Sequence, residues 1–164
     1  DRYASLGLNN PLPAQSLAPA KVEFARITQQ FFGMLDSVNL CHFVWGVSWP
    51  LYGPEQAAAM VKAVTGWDVT LQELLEVGER RVNMMRAFNA REGMARDQDK
   101  LPAKFFDRPL KGGPSDGIKV DKAQFEAALQ EYYHQCGWDE SSGIPKRETL
   151  ERLDLQWVAN LLEL

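Results

Sequence analysis

The stretch Thr70–Gly93, "TLQELLEVGERRVNMMRAFNAREG", decides the fold. Thr70 and Glu73 stand at the spacing where each side chain satisfies an orphan amide of a first helical turn. No proline lies between Glu73 and Gly93, and Gly93 supplies a stop. The pattern predicts one unbroken helix to about Arg91. At about 100° per residue, Leu71, Leu74, Leu75, Val77, Val82, Met84, Met85 and Phe88 share an apolar arc. Arg81 and Asn89 project into the same arc. A guanidinium aimed at apolar surroundings needs a partner, because unpaired burial costs on the order of several kcal/mol. Either both residues sit at the edge and snorkel to water, or this helix packs against something polar beyond the 164 residues.

Outward from this helix the punctuation stays helical. Upstream, Val22, Phe24, Ile27, Phe31 and Leu35 predict a helix over about Lys21–Leu35, with Gly33 weakening its end. Pro54 suits a first turn and Gly66 an exit, with Ala57, Met60, Val61 and Val64 expected on one face between them. Downstream, Asp121 and Gln124 cap a helix carrying Phe125, Ala128, Leu129, Tyr132 and Cys136, ended by Gly137. The closing "IPKRETLERLDLQWVANLLEL" reads as one or two short helices. Met94–Val120 has no period and carries three prolines; it is expected to wrap a surface, anchored by Phe105 and Phe106. Residues 1–20 read as an irregular lead-in, since "NNPLPAQSLAPA" blocks helix and central strand alike. With no repeats, heptads or convincing strands, the expectation is all-α: a single irregular helical domain over residues 21–164.

Length and composition are those of a globular domain, with 45% hydrophobic and 24% charged residues. The net charge of −4 argues against a nucleic-acid partner, which would favour a basic stripe. No apolar run approaches the roughly 18–20 residues that span a bilayer, and "DRYASLGLNN" is no signal peptide. The two cysteines form no CxxC pair, and a reduced, cytoplasmic setting is expected. The first residue is not methionine, so a piece of a longer polypeptide is expected.

No hydrolase constellation occurs, and "LKGGPSDGIK" lacks the strand and helix a phosphate loop needs. Asp97 and Asp99 read as solvated surface charge. Cys136 falls on an apolar stripe, as a small hydrophobe would, and His134 reads as a surface residue. Cys41 is different. In Asp36–Phe43, "DSVNLCHF", it follows a helix end, with a carboxylate before it and His42 after it. It reads either as a buried, inert thiol or as a thiolate aimed, with backbone amides, at one bound object. A lone thiolate cannot hold an iron–sulfur cluster, which takes about four, so a ligand role requires partners elsewhere.

"DSVNLC" resembles the D-x-x-G-L-C motif near the C-terminus of the tungsten-containing aldehyde:ferredoxin oxidoreductase family. "AVTGWDVTLQELLEVGERRVNMMRAFNAREG", "DKLPAKFF", "EYYHQCGWD" and "GIPKRETLERLDL" are similar to further stretches of that family, in its order, across residues 21–155. The resemblance implies the C-terminal part of a larger multidomain enzyme, packed on N-terminal domains of the same polypeptide. Its cofactors would be a tungsten (or molybdenum) bis-pterin and a 4Fe–4S cluster. Cys41 would be the cluster's fourth ligand, and Asp36 would accept hydrogen bonds from a pterin. Leu40 and His42 would meet the pterin mainly through backbone groups. Asn39 stands where the family has glycine, and Asn tolerates a left-handed backbone next best.

The implied activity is oxidation of aldehydes to carboxylates, with electrons leaving through the cluster to ferredoxin or an iron–sulfur subunit. The benzoyl-coenzyme A reductase branch, which reduces an aromatic ring on an aryl-coenzyme A substrate, is the alternative enzyme. A non-catalytic helical interaction module is the alternative outside enzymes. The isolated segment is expected to be inactive. "HFVWGVSWPLYG", with Trp45 and Trp49, reads either as a substrate-channel lining or as packing.

Overall fold

Pro19 opens helix α1 (Pro19–Ser37) from its first turn, where a missing amide costs nothing. The computed structural model describes residues 4–9, 12–45 and 52–164. In chain order the other helices are α2 (His42–Trp45), α3 (Pro54–Thr65), α4 (Leu71–Arg91), α5 (Lys104–Asp107), α6 (Lys122–Cys136), α7 (Arg147–Arg152) and α8 (Gln156–Leu161). Among the described residues there is no strand, only an isolated antiparallel bridge between Trp138 and Pro145. The all-α expectation holds. Trp49 and its neighbours 46–51 lie outside the described residues.

The expected caps form. The Thr70 hydroxyl accepts from the Glu73 amide at 3.2 Å while the Glu73 carboxylate accepts from the Thr70 amide at 2.7 Å. Asp121 accepts from the Gln124 amide at 2.8 Å. Gly66 and Gly137 end α3 and α6 in the left-handed conformation.

α1 packs along α4, and the two backbones meet at Gly33 and Gly78. A Cβ on Gly78 would lie 1.8 Å from the Gln30 carbonyl oxygen and 2.8 Å from the Met34 nitrogen; one on Gly33 would lie 3.1 Å from the Gly78 oxygen. Gly33 therefore does not weaken the end of α1. It lets the helix touch its neighbour and continue for another turn. Around this crossing, Phe31, Met34 and Leu35 pack with Leu6 and Leu8 of the lead-in, Trp45, Ala57, Ala58, Val61, Leu74 and Leu75. A second cluster seats Ala87 of α4 among Leu150, Leu153, Leu155, Val158 and Ala159 of the closing helices.

Periodicity misplaces parts of two faces. α3 buries Ala57, Ala58 and Val61, whereas Met60 is exposed and Val64 is 76% exposed. α4 buries Leu74, Leu75, Gly78, Asn83 and Ala87, leaving Met84, Met85 and Phe88 as an exposed row. Small residues permit the closest approach, so they mark the packed face better than the large ones. Asn83, only 2% exposed, is satisfied on both ends of its amide. Its nitrogen donates to the Glu79 carbonyl at 3.0 Å, and its oxygen accepts from the Trp138 indole at 2.8 Å.

The 94–120 segment is held by one charged knot. Arg86 donates through Nη1 and Nη2 to the two oxygens of Asp99 at 3.0 and 2.6 Å, and through Nε to the Gly143 carbonyl at 2.7 Å. The Tyr133 hydroxyl also donates to Asp99, and Arg96 pairs with Glu126 at 2.7 Å. Asp97 is exposed as expected, but Asp99 is not surface charge: it binds the segment to α4 and α6. Of the two expected anchors, Phe106 packs on Phe125 with ring centroids 5.7 Å apart, while Phe105 is exposed. Burial and the facing Asp99 push the Tyr133 hydroxyl up to about 12, so it stays a donor. Burial of Asp99 opposes its ionisation. The hydrogen bonds from Arg86 and Tyr133, with the charges of Arg86 and Arg96, outweigh that and lower its pKa.

Gly78→Ala should cost about 2–3 kcal/mol in denaturant unfolding, because overpacking exceeds the roughly 1 kcal/mol of helix propensity gained. Gly33→Ala should cost clearly less; the reverse order would contradict the crossing. Asp99→Asn should cost about 2 kcal/mol at neutral pH by unpairing Arg86. Because the folded pKa of Asp99 is depressed, its contribution is present above the ordinary value of 3.8 and fades as pH falls through the lower folded value. Unfolding measured against pH should therefore show variant and parent converging below about pH 4.

Candidate functional site

The end of α1 is shaped by one left-handed residue. Asn39 has φ 57°, as the sequence position requires. The Leu40 amide reaches back to the Leu35 carbonyl at 2.9 Å and the Val38 amide to Met34 at 3.1 Å, a closure that satisfies the last carbonyls of the helix. Leu40 then packs toward the core beside Val38. The chain turns, and Cys41 is left exposed with a free thiol. Its carbonyl accepts from the Val44 and Trp45 amides at 3.0 and 2.9 Å and so starts α2. Within this chain, then, Cys41 is not buried among apolar side chains, unlike the first of its two readings.

Asp36 and His42 come together beside this turn. His42 Nε2 lies 2.8 Å from Asp36 Oδ1, off the line that a hydrogen bond needs, and its ring packs on Phe32 with centroids 4.8 Å apart. The other carboxylate oxygen, Oδ2, is 2.9 Å from Arg81 Nη2 of α4. Asp36 and Arg81 are 39% and 38% exposed. Arg81 thus has its partner inside this chain, a pairing that the sequence did not reveal. The four residues expected to serve the site, Asp36, Leu40, Cys41 and His42, share one turn, with Arg81 as an unforeseen fifth neighbour.

Cys136 behaves oppositely to Cys41: it is buried on α6, and desolvation pushes its thiol up to about 11. Burial likewise raises Tyr132. His134 is exposed, 3.4 Å from Glu140. In "LKGGPSDGIK" the Gly112 amide donates to Asp116 at 2.6 Å, so a carboxylate occupies the donor that a phosphate would need. Trp45 is buried in the core and stacks on Tyr52 at 4.8 Å.

A cleft of about 500 Å³ runs between α1, α4 and α6 with Asp36 and Arg81 on its wall, beside Gln29, Phe32, Asn89 and Tyr132. A larger one, about 720 Å³, lies between α3 and the start of α4, where it meets none of the expected site residues. Among the described residues, no three His, Cys, Asp or Glu side chains gather as a metal-holding group. Cys41 fits as one thiolate of a cluster completed by other ligands; the described residues do not hold a cluster by themselves. No described helix is long and apolar enough to cross a membrane.

A family model described as aldehyde ferredoxin oxidoreductase, domains 2 & 3, matches residues 2–155. The tungsten-containing aldehyde ferredoxin oxidoreductase of Pyrococcus furiosus is 33% identical over 153 residues, covering 92% of this chain and 24% of that protein. Its counterpart in Thermococcus kodakarensis is 30% identical over 152 residues, with the same coverage. An aliphatic sulfonate oxidoreductase, WOR-like subunit, of Pyrococcus furiosus is 31% identical over 143 residues, 84% of this chain and 21% of that one. Among solved structures, the active-site complex of benzoyl coenzyme A reductase with 1,5-dienoyl-CoA shares the fold. Its TM-score is 0.70 at 23% identity, over 93% of this chain and 22% of that one. The chain spans about a quarter of the length of the curated tungsten relatives it matches. With a family model matched over nearly its whole length and relatives at this identity, the chain belongs to the aldehyde ferredoxin oxidoreductase family, in the region of its domains 2 & 3.

Proposed function

We propose that this chain is the C-terminal helical part of a tungsten–pterin, iron–sulfur oxidoreductase that converts aldehydes to carboxylates. The observation that carries the reading is the exposed, unpaired Cys41 thiol on the turn closed by Asn39, in a chain of this family. Cys41 supplies one thiolate to a 4Fe–4S cluster whose other ligands belong to the rest of the polypeptide. Asp36 offers a carboxylate to the paired donors of a pterin's aminopyrimidine edge. The Leu40 amide is committed to Leu35, so Leu40 meets the pterin through its carbonyl. His42 borders the same contact through its backbone.

Bound there, the centre would supply two-electron oxidation of an aldehyde and water to a carboxylate. The electrons would leave singly through the cluster to a ferredoxin or an iron–sulfur subunit. This chain's own residues fix the thiol and the carboxylate. The exposed Met84, Met85 and Phe88 row is the kind of apolar surface that N-terminal domains of the same polypeptide would cover. A reduced, cytoplasmic setting belongs to the reading, since thiols such as Cys41 and Cys136 persist there.

In the full-length protein, Cys41→Ser should lose most of the iron and the cluster's paramagnetic resonance signal, while Cys136→Ser should keep both. Full iron retention by Cys41→Ser would overturn the reading. Assays of the parent with aldehydes and with aryl-coenzyme A esters should show oxidation of the former. Turnover of the esters alone would move the protein to ring reduction.

A further inference from the structure

Asp36 stands in the last turn of α1, where its two side-chain torsions are not confined by the core. A carboxylate that meets two parallel N–H donors must present its plane in one orientation, and a freely turning one loses binding to rotamer entropy. Here the carboxylate is restrained: Arg81 Nη2 sits 2.9 Å from Oδ2, while His42 Nε2 lies 2.8 Å from Oδ1 without a hydrogen bond and limits its rotation only by contact. Arg81 reaches Asp36 because each lies one helical turn beyond the glycine where α1 and α4 touch, Gly33 for one and Gly78 for the other. An ionised carboxylate has about four lone-pair positions. The single Arg81 contact on Oδ2 leaves lone-pair positions on both oxygens for further donors.

We infer that Arg81 is a positioning residue: its guanidinium holds Asp36 in the orientation that receives the pterin, without touching the pterin itself. This deepens the proposed function and rests on Asp36 being a pterin contact. It also gives a role to the one cation that hydropathy placed in an apolar arc. The ion pair is half-exposed, so its weight is that of a moderate contact: about a two- to fivefold change in occupancy.

The test uses the full-length protein as parent, Arg81→Met, Asp36→Asn and the double variant. Pterin and tungsten per polypeptide are the readouts, and iron per polypeptide is the control. Each single variant should lose pterin and tungsten about two- to fivefold with iron unchanged. The double variant should fall no further than Asp36→Asn alone, because Arg81 acts through Asp36. Arg81→Lys, which keeps the charge on a shorter-reaching, non-planar head, should recover part of the loss. Full pterin in Arg81→Met beside loss in Asp36→Asn would overturn the positioning role and leave the pterin contact standing. Full pterin in all variants would remove the pterin contact itself. Iron falling together with pterin, or losses that multiply in the double variant, would make Arg81 a general structural residue and overturn the inference. Should Arg81→Met fail to fold, Arg81→Gln carries the same comparison, with full occupancy again overturning it.

Discussion

Two helices can approach until their backbones touch only where neither carries a side chain at the point of contact. α1 and α4 do this at Gly33 and Gly78, and the rest of the arrangement depends on it. The crossing sets the register of Phe31, Met34 and Leu35 against Leu74 and Leu75, which is the main core. It also places the C-terminal turn of α1 within an arginine's reach of α4. A larger residue at Gly78 would move both the packing and the position of Asp36 relative to Arg81.

Around that contact the domain is tied by polar bonds as well as by apolar packing. Asn83 joins α4 to Trp138, just beyond α6, from a buried position; Arg86 joins α4 to the 94–120 segment and to Gly143. Arg80 donates to the Leu153 carbonyl at 2.7 Å, and Arg152 meets Glu79 at 2.5 Å, which fastens the closing helices to the same spine. A buried amide or a bidentate guanidinium tolerates few geometries, so these bonds select one packing of short helices that hydrophobic burial would leave loosely specified.

Much of this was written in local sequence. Thr70 with Glu73, Pro54, Gly66 and Gly137 mark helix ends because caps and left-handed exits depend on residues a few positions apart. Asn39 was legible as a left-handed position for the same reason, and the family motif brought Asp36, Leu40, Cys41 and His42 to one turn. The faces of the helices were less legible. An arc drawn through large apolar residues overlooks Gly78, Ala58 and Ala87, whose smallness is what brings a neighbour close, and it claims Met84, Met85, Phe88 and Val64, which face outward. The partners of Asp99 and Arg81 were not legible at all. Asp36 and Arg81 lie on different helices far apart in sequence, and no spacing rule reaches across a tertiary contact.

The turn from Asp36 to Cys41 is closed by bonds that the polypeptide makes with itself: Leu40 to Leu35, Val38 to Met34, and Arg81 to Asp36. These bonds would hold its form without help from inorganic chemistry, unlike a zinc finger, whose fold appears only when the ion arrives. On the proposed reading, maturation of the enzyme is a matter of delivering cofactors to a ledge already cut to shape. On that reading the order of assembly would run from polypeptide to metal, and defects in delivery would leave this part of the chain folded.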